Sequence, residues 1–304
     1  MDKKSYMKNN TNLTERNYTR QQSVIINARY ALTRAEIDII LVLLTAIHKE
    51  DKDFKDYKFT IKDLELKTGR QWNSKQLKDT VKSLFGKPLE LPKENEEGWQ
   101  IVGWFSYFDY DGSGLITCRF DKALKPYLVD IQGRMILGDV RHLLPMKSSY
   151  SKRVYLLLKE YSKFGVRKFK VEELMEILKV PKSLKVYADF KRKVLLRAEQ
   201  DINKFTDLKV SLDEKKVRRK VTEITFHIKK NDEDLKTFIE HIRENHTNVL
   251  LWTTKNKIEI QCSEHGLLYN KKNNKTFDKE TAQKLWEEMH KHREIVLRSQ
   301  VSLF

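Results

Sequence analysis

Between Leu32 and Glu50 the chain reads LTRAEIDIILVLLTAIHKE, and Ile37, Ile40, Leu41, Leu44 and Ile47 return every three or four positions. That is the period of one helix face. Thr33 and Glu36 stand at capping-box spacing, so each can satisfy a free amide at the helix start. Ile39, Val42 and Leu43 fill other faces, which predicts a helix central to its domain. A second helix is predicted in SSYSKRVYLLLKEYSKFG (148–165). Ser149 is its expected cap, Tyr150, Val154, Leu157, Leu158 and Tyr161 its apolar face, and Gly165 its left-handed stop.

Each helix is followed, after a similar gap, by nearly the same seven letters: KFTIKDL at 58–64 and KFKVEEL at 168–174. The likeness continues downstream. In the first copy IKDLELKTG is a short helix ending at Gly69, and NSKQLKDTVKSLFG is a second one opening at the cap candidates Asn73 and Ser74. Leu77, Val81, Leu84 and Phe85 are expected inward, with Lys75, Lys78 and Lys82 outward. In the second copy VEELMEILKV breaks at Pro181, and SLKVYADFKRKVLLRAEQDINKF runs on as a helix with Tyr187, Phe190, Val194, Ala198 and Ile202 at helical spacing. At 100° per residue, Lys185, Asp189, Arg192, Lys193 and Gln200 fall opposite that stripe, with Arg197 and Lys204 on its edge. A β-hairpin closes each copy. The first is GWQIVGWFSYFDYDGSGLITCRF, turning at Asp111-Gly112-Ser113-Gly114. In the second, Leu208, Val210 and Leu212 alternate, as do Ile224, Phe226 and Ile228, around a turn holding Lys215, Lys216, Arg218, Arg219 and Lys220. Helix, helix, second helix, hairpin is a winged helix-turn-helix, present twice. The expected fold class is α+β: tandem winged helix-turn-helix domains with a small α/β C-terminal extension.

Charge sharpens this picture. The formal net charge is +17. Residues 1–140 carry +3 of it, residues 141–230 carry +14, and residues 231–304 are neutral. A cationic field concentrated on one unit suits a polyanion, since each neutralised phosphate releases a counterion. The division expected is a flexible arm (1–22), a first winged-helix domain (23–140), a second, strongly basic one that is the main DNA reader (141–230), and a small C-terminal unit (231–304). The longest apolar run, Ile39 to Leu44, is too short to span a bilayer. No signal peptide is read in the polar first twenty residues, and the two cysteines, Cys118 and Cys262, are expected to stay reduced in a cytoplasm.

Residues 20–230 resemble the replication initiator proteins of iteron-containing bacterial plasmids, a family with two winged-helix domains. The resemblance rests on LTRAEIDIILVLL, on KFTIKDL and KFKVEEL, on YADFKRKVLLRAEQDINKFTDLKVSL and on the hairpin after it; the stretch Phe190–Leu208 is its most specific part. At Leu196-Arg197 the family carries an acidic residue and Pro, so a straighter helix start is expected here. The resemblance implies binding to direct repeats at an origin as a monomer, dimerisation through the first domain, and repression of the chain's own gene at an inverted repeat. It also implies melting of adjacent AT-rich DNA, and recruitment of the host replication initiator and the replicative helicase.

The residues themselves assign roles in binding double-stranded DNA. Arg192 and Lys193 are candidates for guanine contacts in a major groove, and Lys185 and Arg197 for phosphates. Asn73, Ser74, Lys75 and Lys78, with Lys82 on the same face, hold the comparable place in the first copy. Lys215, Lys216, Arg218 and Arg219 form a wing tracking the backbone or a minor groove. In residues 231–304, strands around VLLWTT and KIEIQC precede LLYN and the helix DKETAQKLWEEMHKHREIVL. This unit is expected either to contact host proteins or a second copy, or to cap the second domain. No cofactor, metal or catalytic residue is expected: His290-Lys291-His292 lies in a helical pattern, Cys262 and His265 lack further ligands, the ENEEG acids before Trp99 read as solvated, and no phosphate-cradling G-x-x-x-x-G-K-[ST] occurs. The alternatives are a transcriptional regulator without a replication role and a nicking-joining enzyme.

Overall fold

The repeated Lys-Phe pairs lie in strands. A computed structural model describes residues 17–93, 98–231, 239–240, 242–244, 250–254, 257–263 and 267–291. It opens on β1 (Tyr18–Gln22), α1 (Ser23–Asn27) and α2 (Arg34–Leu44). The first copy continues with β2 (Tyr57–Thr60), α3 (Ile61–Thr68), α4 (Ser74–Phe85), the short strands β3 (Leu89–Leu91) and β4 (Gln100–Val102), and the hairpin of β5 (Phe105–Tyr110) and β6 (Leu115–Phe120). Next come α5 (Lys125–Leu128), β7 (Met135–Asp139) and α6 (Val140–Leu143). The second copy is α7 (Ser149–Lys159), β8 (Val166–Lys170), α8 (Val171–Ile177), α9 (Tyr187–Phe190), α10 (Leu196–Phe205), β9 (Leu208–Val217) and β10 (Lys220–Lys230).

The two copies build the same sheet. In the first, β2 adds antiparallel to β6 in the order β2-β6-β5; in the second, β8 adds to β10 in the order β8-β10-β9. Phe59 and Phe169, the shared aromatics of the repeat, are both buried. The residue after each begins the turn into a helix. Thr60 and Asp63 form a capping box on α3, whereas Lys170 provides no side-chain cap to α8.

Several expectations need correcting. The arm does not extend to residue 22, because β1 pairs with β7 from Tyr18↔Asp139 to Gln22↔Met135. At Gly138 a Cβ would lie 2.9 Å from the Thr19 hydroxyl, so only glycine lets the two strands meet α7 this closely. Residues 1–16 lie outside the described residues, as do the acids at 94–97. The cap of α7 is Ser148, not Ser149: its hydroxyl accepts from the Ser151 amide. α2 carries the expected capping box but stops at Leu44, and Ile47 is buried from the turn that follows. Gly165 has the expected left-handed φ of 75°, six residues beyond the end of α7 and next to β8. The segment from Gly98 to Phe120 is two hairpins rather than one, since β4 pairs back to β3 and only β5 and β6 form the wing. Phe85 is 52% exposed, edge-on to Phe108 instead of facing inward.

One hydrophobic core runs through both copies, from Ile25 to Ile228. α7 is buried on nearly every side, its cations included. Lys152 forms an ion pair with Asp38 of α2, both side chains wholly buried, and Arg34 and Arg70 also approach that carboxylate at 3.6 and 3.3 Å. Burial pushes the Asp38 carboxyl up and the Lys152 ammonium down, each opposed by its partner's charge. Arg153 donates to the carbonyls of Ala28 and Ile177 at 2.7 and 3.2 Å and stacks 3.4 Å over the Tyr30 ring. Arg167 donates to Asn27 of α1 at 2.6 Å and to Glu160 at 3.1 Å. Three cations counted in the +14 therefore lie inside, pinning one copy to the other.

Residues 231–304 form a compact unit apart from residues 1–230. Its strands β11 (Leu250–Thr253), β12 (Glu259–Cys262), β13 (Leu268–Asn270) and β14 (Lys275–Thr276) make an antiparallel sheet in sequence order. With α11 (Lys279–Lys291) they enclose Leu251, Ile260, Cys262, Leu268, Leu285, Trp286 and Met289.

Candidate nucleic-acid interface

In the second copy the expected long helix is assembled in steps. A single 3-10 turn at Lys182–Leu184 leads to α9, then a π turn spans Lys191–Leu195 before α10 begins. A π turn inserts one residue into the helical repeat. The uniform 100° projection fails across the insertion. The apolar stripe survives it: Phe190, Val194, Ala198 and Ile202 are fully buried, against α7 and the sheet.

All four expected cations of this helix, Lys185, Arg192, Lys193 and Arg197, are exposed, but they are not equivalent. Asp189 holds both Arg192 at 2.9 Å and Lys193 at 3.2 Å, and hydrogen bonds from the two keep its carboxyl below the usual range. Arg197 is paired with Asp201 at 3.1 Å. Lys185 has no ion pair among the described residues. The expected guanine readers are thus held by an acid of their own helix, and Lys185 is the freer cation.

The wing is longer and tighter than the sequence suggested. β9 and β10 pair from Leu208↔Lys230 to Val217↔Lys220, leaving Arg218 and Arg219 alone as the turn. Arg218 has φ 55°, a left-handed conformation that favours Gly, Asn or Asp. Lys215 and Lys216 belong to β9, and both side chains are exposed along with those of Arg218 and Arg219. These four form no ion pair among the described residues. Glu214, missed by sequence reasoning, ties the wing to the helix: it accepts from the Tyr187 hydroxyl at 2.7 Å and pairs with Lys191 at 2.7 Å. Burial raises its carboxyl, but Lys191 and Tyr187 outweigh burial and keep it low. The only sequence signal was an acid embedded in a cationic stretch.

The first copy presents a weaker version. α4 is an unbroken helix on which Lys75, Lys78 and Lys82 are exposed and, among the described residues, unpaired. Asn73 serves as the N-cap, accepting from the Gln76 amide at 2.7 Å, and Ser74 is the exposed first helical residue. The wing beside it is anionic. Asp109 and Asp111 are exposed, no Lys or Arg occurs from Phe105 to Cys118, and Arg119 is paired with Asp56 at 2.7 Å.

A cationic helix and a cationic two-stranded wing on one rigid body are what a duplex groove and its flanking phosphates require. Residues 18–159 match the family model "Initiator Replication protein, WH1", and residues 170–228 match "Initiator Rep protein, WH2". The chain belongs to this initiator family. It is a replication initiator carrying two winged-helix domains. The boundary between the two matches falls after α7, which packs against both copies.

Two solved structures are similar over most of the chain. One is a selenomethionine derivative of domains 2 and 3 of RctB, 12% identical, covering 71% of this chain and 92% of that one with a TM-score of 0.39. The other is RctB domains 2–3, 13% identical, covering 72% and 94% with a TM-score of 0.37. Among the described residues no helix is long and apolar enough to cross a membrane, and no cluster of three or more His, Cys, Asp or Glu could hold a metal. His290 lies on α11; His265 and His292 lie outside the described residues.

Proposed function

We propose that this initiator acts in plasmid replication by binding short direct repeats at the origin, without catalysis of its own. The observation that carries the reading is the set of exposed, unpaired cations at Lys185, just before α9, and at Lys215, Lys216, Arg218 and Arg219 on the wing, with that wing braced to the helix by Glu214. In this reading Lys185 and the wing grip phosphates, while Arg192 and Lys193 exchange Asp189 for base edges on docking. Residues 18–140 serve as the first winged helix and residues 141–230 as the second, main reader. In the first domain Lys75, Lys78 and Lys82 give a weaker grip, since the wing beside them is acidic. The rigid join between the domains implies a site of about two helical turns, ~21 base pairs. Recruitment of the host replication initiator and replicative helicase, a monomer–dimer equilibrium, repression of its own gene and a cytoplasmic location complete the proposal. Residues 231–304, neutral overall, are assigned to protein contacts rather than to DNA.

A DNase footprint on the DNA flanking the chain's own gene tests this. Regularly spaced protections of about two turns each are expected. A single symmetric protected site would leave a repressor only, and salt-sensitive coating without boundaries would remove the sequence-reading assignments.

A further inference from the structure

α9 breaks a local rule at its first position. The helix begins after Val186, whose carbonyl accepts from the Phe190 amide at 3.0 Å but whose side chain supplies no cap. At the corresponding place in the first copy Asn73 caps α4. Ser, Thr, Asn or Asp at this position satisfies an amide that valine cannot, so valine sacrifices stability. Nor is the valine used for packing: it is 64% exposed, between exposed Lys185 and half-buried Tyr187. A residue that neither caps nor packs, beside the exposed Lys185 and on the helical run that carries exposed Arg192 and Lys193, has its gain elsewhere.

We propose that Val186 is a specificity residue that reads the C5-methyl group of a thymine in the major groove. The proposal rests on the reading-helix assignment above. The thymine methyl is the one apolar feature on base edges of that groove, and small apolar side chains are its complement. Val186 sits at the N-terminal end of the reading helix, the end that reaches base edges when such a helix lies in a groove. Lys185 beside it can hold a phosphate and bring the isopropyl group down onto the base. The ligand feature is thus a T·A pair at one position of the half-site bound by the second winged helix.

The test is a cycle of protein and DNA variants. The full-length protein selects its preferred duplex from a randomised pool, and each thymine of that duplex is then replaced singly by deoxyuridine, which lacks only the methyl. Wild-type protein is expected to bind about fourfold more weakly at one position, the equivalent of one methylene-sized group left unburied. Val186→Ala is expected to bind the thymine duplex correspondingly less well and to show no further weakening with deoxyuridine there. Val186→Asn, which restores a cap, should raise the unfolding midpoint while abolishing the thymine preference, showing that the effect is not misfolding. If both variants keep the wild-type penalty at that thymine, or if no deoxyuridine costs affinity, Val186 does not read a methyl. The reading helix then stands or falls separately, by whether Arg192→Ala changes the selected sequence. Failure to select any sequence overturns both.

Discussion

Lys215 and Lys216 differ from Arg192 and Lys193 in one respect that decides how each should respond to mutation. The first pair forms no ion pair among the described residues, although Lys216 acts on the Glu214 carboxyl from nearby. The second pair shares the single negative charge of Asp189, which offsets about one of its two positive charges. Removing Lys215 and Lys216 together should weaken binding to all sequences alike and shallow the salt dependence of log K by about 0.9 for each phosphate no longer neutralised. Arg192→Ala and Lys193→Ala should instead relax discrimination between good and poor sites, by roughly 1–3 kcal/mol for a base-reading side chain, as measured by competition at fixed salt. Equal effects from both sets would place the reading surface elsewhere. The outward direction of these cations was legible in the sequence. Their partners were not, because whether an acid three or four residues away engages them depends on the local turn, here bordering a π insertion.

Among the elements, the wing and the helix proposed to read DNA both depart from ideal geometry. Arg218 occupies a left-handed turn position at a cost of about 1–2 kcal/mol to a side-chain-bearing residue. Arg218→Gly should therefore raise stability by about 1 kcal/mol in urea denaturation and lower DNA affinity in the same protein. A drop in stability would mean that the arginine side chain is held by a compensating interaction. Periodicity located α2, α3, α4, α7, α8 and the α9–α10 run, capping chemistry located the start of α2, and alternation located the second wing, while the short helices α1, α5 and α6 went unread. The boundaries that slipped share a cause. β1 pairs with β7 more than a hundred residues away, and β4 turns back to β3; pairing partners leave no trace in the spacing of one strand. The π turn is also invisible to a 3.6-residue count, since buried Phe190, Val194 and Ala198 fit either path.

At the scale of the molecule, the two winged helices of residues 1–230 share one core, locked by a buried ion pair. Asp38→Asn leaves the buried Lys152 ammonium without its acid and should cost about 3–5 kcal/mol, whereas Lys152→Met leaves Asp38 still paired with Arg34 and Arg70 and should cost less. Replacing both together by apolar residues of similar volume should recover most of that stability. The measurement is the urea midpoint of each single variant and of the double, and additive effects would refute the pairing. A second network governs acid stability. Burial raises the Asp207 carboxyl, but Lys159, His142 and the Tyr155 hydroxyl outweigh burial and hold it below its ordinary range. A depressed carboxylate contributes stability above its unfolded pKa of about 4 and loses it as pH falls through the folded value. Stability should therefore decline below about pH 4, and Asp207→Asn should start lower and flatten that decline.

The sequence by itself determined the two-copy architecture, the class of ligand and the helix and wing proposed to meet it. Apolar spacing and charge asymmetry are local properties, written residue by residue. Only the tertiary structure decided which of the charges are available. Lys152, Arg153 and Arg167 are spent inside, joining the copies; Arg192, Lys193 and Arg197 are held by neighbouring acids; Lys185 and the wing cations remain open. A charge acts through what surrounds it, and those surroundings exist only once distant segments have packed.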